Sequence, residues 1–300
     1  MLARVPLAFS RPLAPGDAIA VVAPSSPFPH DELWRGLAWL RARYRVRLRA
    51  DALARDGYLA GSDERRAEEL ASALLDDDIK AVVAARGGYG ALRVLAKLPW
   101  DRIAAKPKWI VGFSDITALH AMAWRAGVAS VHAPNVTGLG RDSSAALRAS
   151  WLAALERPAQ QRAWEGLRIV RGGAARGPLV GGNLTLLHAM AAAGRLAIPD
   201  GAVLALEDVG ESPYRLDRML TSLELGGHLD RVAGLVFGSF AGCEPRADGR
   251  TAGEVLERWA GRLRLPVLAD APFGHSRDND TFVLGADVQM RADALIWNPG

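Results

Sequence analysis

The chain has 300 residues, half of them hydrophobic and 23% charged, and 37 Lys and Arg against 33 Asp and Glu give a formal net charge of +4. That balance excludes collagen, coiled coil and wholesale disorder, and the length suits two lobes or one large α/β domain with a sizeable interior. A single cysteine, Cys243, excludes a disulfide framework and a Cys-based zinc cluster, and fits a reducing compartment.

The basic residues are nearly all Arg. Arg41, Arg43, Arg45, Arg47 and Arg49 alternate with Ala, Tyr, Val and Leu, the pattern of a helix end entering a half-exposed strand rather than of a nucleic-acid stripe. The N-terminus lacks an apolar run of signal-peptide length, and no stretch approaches ~20 consecutive apolar residues. The expectation is a cytoplasmic protein with neither a nucleic-acid nor a membrane partner.

Residues 18–23 read as a short buried strand closing at Pro24-Ser25-Ser26-Pro27, residues 31–43 as an amphipathic helix, and residues 46–48 as a second strand. Ser62 stands where an N-cap would open a helix running to about Asp76. Residues 79–84 form another strand, and Gly87-Gly88-Tyr89-Gly90 turns the chain into a helix over 91–98. A strand at 109–112 and a helix at 115–125 repeat the alternation. This rhythm predicts a parallel sheet with helices on both faces, where ligand sites collect at the carboxyl ends of strands. Residues 143 to about 164 read as one polar helical stretch with a loop at Pro158-Ala159-Gln160-Gln161. Together with the Gly-rich segment that follows, they suggest a connection between lobes. The second half places strands at 202–206, 232–237 and 281–284 among helices near 183–193, 213–225 and 253–262.

Gly112-Phe113-Ser114-Asp115 is the most informative tetrapeptide. A Ser between a buried strand and a helix N-terminus has its hydroxyl lifted out of the turn, and the backbone N–H groups after it can stabilise an oxyanion. Ile116 stands where the hydrolase pattern has its second Gly, and the plain alternative is that Ser114 only N-caps the helix. A Ser nucleophile needs a base and the base an acceptor. His120 and His188 lie on helix faces, and His30 and His228 near polar ends. His132, at a strand end, rivals His275, which is favoured because it sits in a loop after residues 267–269. Glu207, at the end of the strand over 203–206, is the acceptor best placed to face a site. Arg86-Gly87-Gly88-Tyr89-Gly90 lacks the Lys-Ser/Thr of a P-loop, yet its glycines permit close approach to a ligand, and Gly88 could offer a second oxyanion N–H. No His pair stands at metal-ligand spacing, so no metal is expected.

In order along the chain, a series of segments resembles the LD-carboxypeptidases, the serine peptidases of murein tetrapeptide turnover, and their relatives that give self-immunity to microcin C. They are Gly16-Asp17 with Val21 to Ser26; Arg86 to Gly90 with Gly112 to Thr117; Gly177 to Leu184; Leu206 to Glu211; and Pro272-Phe273-Gly274-His275. The resemblance implies a Ser114–Glu207–His275 triad. It also implies a flavodoxin-like parallel-sheet N-terminal domain (1–142) carrying the nucleophile, a connection (143–176), and a smaller β-rich α/β C-terminal domain (177–300) carrying Glu and His, with the active site in the cleft between them. One departure is His132-Ala133-Pro134, where His-Gly-Pro is expected. The implied reaction is release of terminal D-Ala from a murein tetrapeptide or muropeptide, without a cofactor. Backbone N–H groups of Gly88 and Asp115 would face the oxyanion, and Arg86 would hold the substrate carboxylate or serve structurally. A microcin-type amidase and a silent muropeptide-binding protein are the alternatives, and homodimer formation is left open.

Overall fold

The computed structural model describes residues 7–141, 143–245 and 249–298. The chain forms two units: one takes it as far as Pro158 and regains Asp280–Val283, and the other takes Ala159–Asn279 and the chain from Leu284 onward. In order, the elements are β1 (Ala18–Val22), α1 (His30–Arg41), β2 (Arg45–Leu48), α2 (Asp63–Leu75), β3 (Ile79–Ala84), α3 (Ala91–Val94), α4 (Trp100–Ala105), β4 (Trp109–Gly112), α5 (Thr117–Arg125), β5 (Ser130–His132), α6 (Val136–Gly140) and α7 (Ala145–Glu156). They continue as β6 (Arg162–Trp164), β7 (Arg168–Arg171), β8 (Ala175–Asn183), α8 (Leu184–Ala192), β9 (Val203–Val209), α9 (Pro213–Leu225), β10 (Gly234–Ala241), α10 (Ala252–Leu263), β11 (Val267–Ala269), β12 (Phe282–Leu284), β13 (Asp287–Arg291) and β14 (Ala294–Trp297).

The first unit is built on a six-stranded sheet in the order β12-β5-β4-β3-β1-β2. From β5 to β2 every pairing is parallel. The parallel strands therefore run 2-1-3-4-5, the flavodoxin-like order that the family resemblance implies. β1 and β4 are buried along their whole length and β3 nearly so, which is why they read as unbroken apolar runs rather than alternating ones. β2 alternates exposed and half-buried positions, as its alternating arginines predict. Ser62 does cap α2, its side chain accepting from the Arg65 N–H. Strand order reverses between β1 and β3, and such a reversal opens a crevice at the strands' carboxyl ends. The Pro24–Pro27 and Arg86–Gly90 turns follow β1 and β3 there, and Ser114 follows β4. Ser26 joins the two turns: its N–H donates to Gly87 O at 3.3 Å, and its hydroxyl accepts from the Tyr89 N–H at 3.0 Å.

The second unit carries an eight-stranded sheet, β6-β14-β13-β8-β9-β10-β11-β7. Strands β8 to β11 are parallel, while β13 and β7 flank them antiparallel. The stretch from 143 to 164 is not one helix. α7 ends at Glu156 just before Pro158, and Arg162–Trp164 pairs with β14 as a strand. Buried Trp164 anchors that strand, stacking on Phe273 at 5.6 Å between ring centroids and meeting Trp297 edge-on at 4.5 Å. β9 outruns its predicted end by three residues. Glu207 pairs with Asn183 on β8, and Asp208 and Val209 pair with Phe240 and Ala241 on β10. Among the described residues no helix is long and apolar enough to cross a membrane.

Candidate active site

Ser114 has a φ of +65°, a region that non-glycine residues enter only under constraint and that marks strained functional turns. The constraint is visible on every side. Before it, the Gly112 carbonyl accepts from the Ala133 N–H at 3.1 Å and from His120 Nε2 at 2.9 Å. The Phe113 N–H donates to Asn135 Oδ1 at 3.2 Å. After it, a single 3-10 turn, Ser114–Ile116, leads into α5, so the helix predicted from Asp115 begins with a tighter turn. His120 is fully buried, and burial lowers its pKa to about 4; the neutral ring donates to the Gly112 carbonyl and supports the turn from below.

The Arg86–Gly90 turn lies directly against the serine. A Cβ on Gly87 would stand 2.9 Å from Ser114 Cβ and 3.2 Å from its Oγ, so only glycine fits. Gly88 follows at φ +104°. Neither the Gly88 N–H nor the Asp115 N–H has an acceptor among the described residues. The Asp115 side chain instead ties the two turns together, its carboxylate accepting the Ala91 N–H at 2.7 Å. That carboxyl is buried, and burial pushes its pKa up against the opposing pull of the Ala91 N–H and of Arg66. Arg86 is exposed and donates to Pro27 O at 2.5 Å.

Glu207 is completely buried in β9, and its Oε2 lies 2.7 Å from His275 Nδ1. His275 rides a short loop closed by the Gly274 N–H donating to Asn279 Oδ1 at 2.9 Å. Burial disfavours its imidazolium, but the hydrogen bond and the charge of Glu207 outweigh that, so its pKa is raised above the ordinary histidine value. Asp208, next in β9, has a structural post: it accepts from Asn183 Nδ2 at 3.0 Å and from the Thr185 N–H and hydroxyl at 2.9 Å each. His132 has no exposure; its ring stacks on Phe282 at 4.6 Å and meets Phe113 at 5.8 Å. Among the described residues no three His, Cys, Asp or Glu side chains are grouped to hold a metal ion.

One buried charge beside these turns escaped the reading of the sequence. Arg66 of α2 is fully buried and donates to the carbonyls of Pro24 and Gly90, the latter at 2.8 Å, with Asp63 as its carboxylate partner. The available signal was its place on the buried stripe Arg66, Ala67, Glu69, Leu70, Ala73, Leu74, where two charged residues break the apolar pattern.

Residues 19–133 match the LD-carboxypeptidase N-terminal domain, and residues 176–290 match the LD-carboxypeptidase C-terminal domain. The murein tetrapeptide carboxypeptidase of Pseudomonas aeruginosa is 33% identical, over 93% of this chain and 94% of that protein. The crystal structure of muramoyltetrapeptide carboxypeptidase from Oxalobacter formigenes superposes with a TM-score of 0.84 at 30% identity, covering 93% of this chain and 97% of that one. The structure of MccF in complex with glutamyl sulfamoyl guanosine shares the fold, with a TM-score of 0.88 at 21% identity over 98% and 99% of the two chains. With both domains matched in order and relatives of this identity along nearly its whole length, the chain belongs to the LD-carboxypeptidase family.

Proposed function

We propose that this protein is a serine carboxypeptidase that releases terminal D-Ala from murein stem tetrapeptides, with Ser114 as nucleophile, His275 as base and Glu207 as the group that orients it. The observation that carries the reading is the positive φ of Ser114 in a strained strand-to-helix turn against which Gly87 is packed, with the neighbouring N–H groups of Gly88 and Asp115 lacking an acceptor among the described residues. The His275–Glu207 pair and the kinship to a murein tetrapeptide carboxypeptidase support it.

In this mechanism Ser114 Oγ attacks the carbonyl of the residue before D-Ala while His275 Nε2 takes the hydroxyl proton. Negative charge gathers on the former carbonyl oxygen, and the N–H groups of Gly88 and Asp115 bind it. The C–N bond then breaks, and His275 returns the proton to the departing D-Ala amine. Water, deprotonated by the same imidazole, hydrolyses the acyl-serine. Throughout, Glu207 accepts from Nδ1–H, fixing the tautomer and stabilising the imidazolium. Arg86 is the nearest motif cation for the substrate's carboxylate, and its exposure keeps the rest of its guanidinium open to solvent.

Four synthetic peptides at equal concentration test the specificity: the tetrapeptide L-Ala-D-Glu-meso-diaminopimelate-D-Ala, its C-terminal L-Ala epimer, its C-terminal amide, and the pentapeptide ending D-Ala-D-Ala. Only the first should release alanine efficiently. Losing the carboxylate removes a charge-assisted hydrogen bond, about ten- to a hundredfold in kcat/KM. Equal rates on the two epimers would sink the assignment, and a faster reaction on an aminoacyl sulfamoyl-adenosine would favour a microcin-type amidase.

A further inference from the structure

We propose that Arg66 is a positioning residue for the serine site: its buried guanidinium fastens the turn after β1 to the turn after β3 and so keeps the Gly88 N–H in place beside Ser114. The catalytic consequence rests on the serine-peptidase reading above, whereas the fastening rests on contacts alone.

A fully buried arginine in a helix-on-sheet contact is an expensive choice, because an apolar residue of similar size would fill the space without the loss of hydration. Arg66 has no exposure, and of the surrounding carboxylates Asp63 pairs with it directly. Asp63 also holds Arg93 at 2.8 Å, which steadies the pair at the helix start. What the charge achieves is a bridge between two segments distant in sequence. One guanidinium nitrogen, Nη1, donates both to Pro24 O, 42 residues away, and to Gly90 O at 2.8 Å, 24 residues away. Those carbonyls lie at the start of the first turn and the end of the second, where the strand order reverses. Two further ties close the figure, Tyr89 N–H to Ser26 Oγ at 3.0 Å and Ala91 N–H to Asp115 at 2.7 Å. Gly88 is therefore anchored on both sides of an N–H that itself has no acceptor. A lysine would keep the charge but lose the planar fork that reaches the two carbonyls and Asp63 together.

The test uses Arg66→Lys and Ser26→Ala in the full chain, with two readouts. Hydrogen–deuterium exchange over residues 86–91 tests the fastening without any need for activity. The expected result is protection of the Tyr89 and Ala91 amides reduced at least about tenfold in Arg66→Lys, with the rest of the sheet unchanged. The rate of Ser114 modification by a fluorophosphonate, together with kcat and KM on the tetrapeptide, tests the consequence. The expected result is a fall in labelling rate and kcat approaching about 10²-fold with KM within twofold, as for a small displacement of a group that acts only in the transition state. Unchanged exchange in a folded Arg66→Lys protein would overturn the fastening. Loosened exchange with wild-type labelling would overturn the link to catalysis. A wild-type protein that resists the probe would count against the serine mechanism, and the exchange result would still decide the role of Arg66. Ser26→Ala, altered at a half-buried hydroxyl, gives the reference for losing one other tie between the turns. Should Arg66→Lys fail to fold, Arg66→Gln, too short to span both carbonyls and Asp63, carries both readouts, and wild-type values there would overturn the proposal.

Discussion

Ser114 is set by backbone geometry, whereas His275 is set by charge, and the two arrangements should fail in different ways. In the first unit the serine sits at φ +65° after a fully buried strand, with Gly87 pressed against it and the Asp115 carboxylate pinning the neighbouring turn. In the second unit a carboxylate without solvent exposure lies 2.7 Å from an imidazole on a short loop. Errors of shape in the first should lower the rate equally at all pH values. Errors of charge in the second should also displace the pH dependence.

The largest effects should come from the reacting pair. Ser114→Ala and His275→Ala should each reduce kcat by as much as about 10⁶-fold, and the double variant should be little worse, because the proposed nucleophile and base would act as one unit. His132→Ala should be much milder, since that ring is enclosed against Phe282. Purified variants assayed for alanine release give the ranking, and a reversed order of the two histidines would move the base to His132.

Glu207→Gln comes next, at about 10³- to 10⁴-fold, because an amide can hold the ring in the wrong tautomer. It also probes charge. His275 must be neutral to accept the serine proton, and Glu207 raises its pKa, so wild-type kcat/KM should rise with pH through a midpoint above the ordinary value of about 6.5. In Glu207→Gln burial is opposed only by the weaker pull of Asp208, and the midpoint should move down. The same raised pKa means that the pair's contribution to folding stability is present at acid pH and fades as pH rises through the folded-state value. An acid limb that stays in place in Glu207→Gln would separate His275 from Glu207.

Gly87→Ala is the matching error of shape. Its new methyl would stand 2.9 Å from Ser114 Cβ, and a displacement of this kind should cost about 10²-fold in kcat while leaving the midpoint unmoved. A shifted midpoint in Gly87→Ala, or wild-type kcat, would erase the distinction between the setting of Ser114 and that of His275.

Much of this was legible in the residues. The apolar runs of β1, β3 and β4 are buried strands, and the turn after each can be read from Pro24-Ser25, Gly87-Gly88 and Phe113-Ser114. Ser114 stood out because a serine between a buried strand and a helix N-terminus has its hydroxyl lifted out of the turn, although a plain N-cap would read the same way from the residues. β6, β7, β13 and β14 were not recognised as strands, being three to five residues long and at or near the sheet's margins, and the longer, interior β8 was missed too because Gly177-Pro178 and Gly181-Gly182 read as turn residues. The extension of β9 past Leu206 was hidden for a different reason: Glu207 and Asp208 are strand residues only because β8 and β10 pair with them. Arg66 was invisible as a functional group since its partners, the carbonyls of Pro24 and Gly90, belong to turns that converge only in the folded sheet.

The central claim is that Ser114 opens the peptide bond before a terminal D-alanine. It is tested most directly by incubating the purified protein and its Ser114→Ala variant with L-Ala-D-Glu-meso-diaminopimelate-D-Ala and measuring free D-alanine. Steady release by the wild-type protein, and none above background by an equally folded Ser114→Ala variant, is the predicted result. Equal release by both proteins, or no release by the folded wild type, would contradict it.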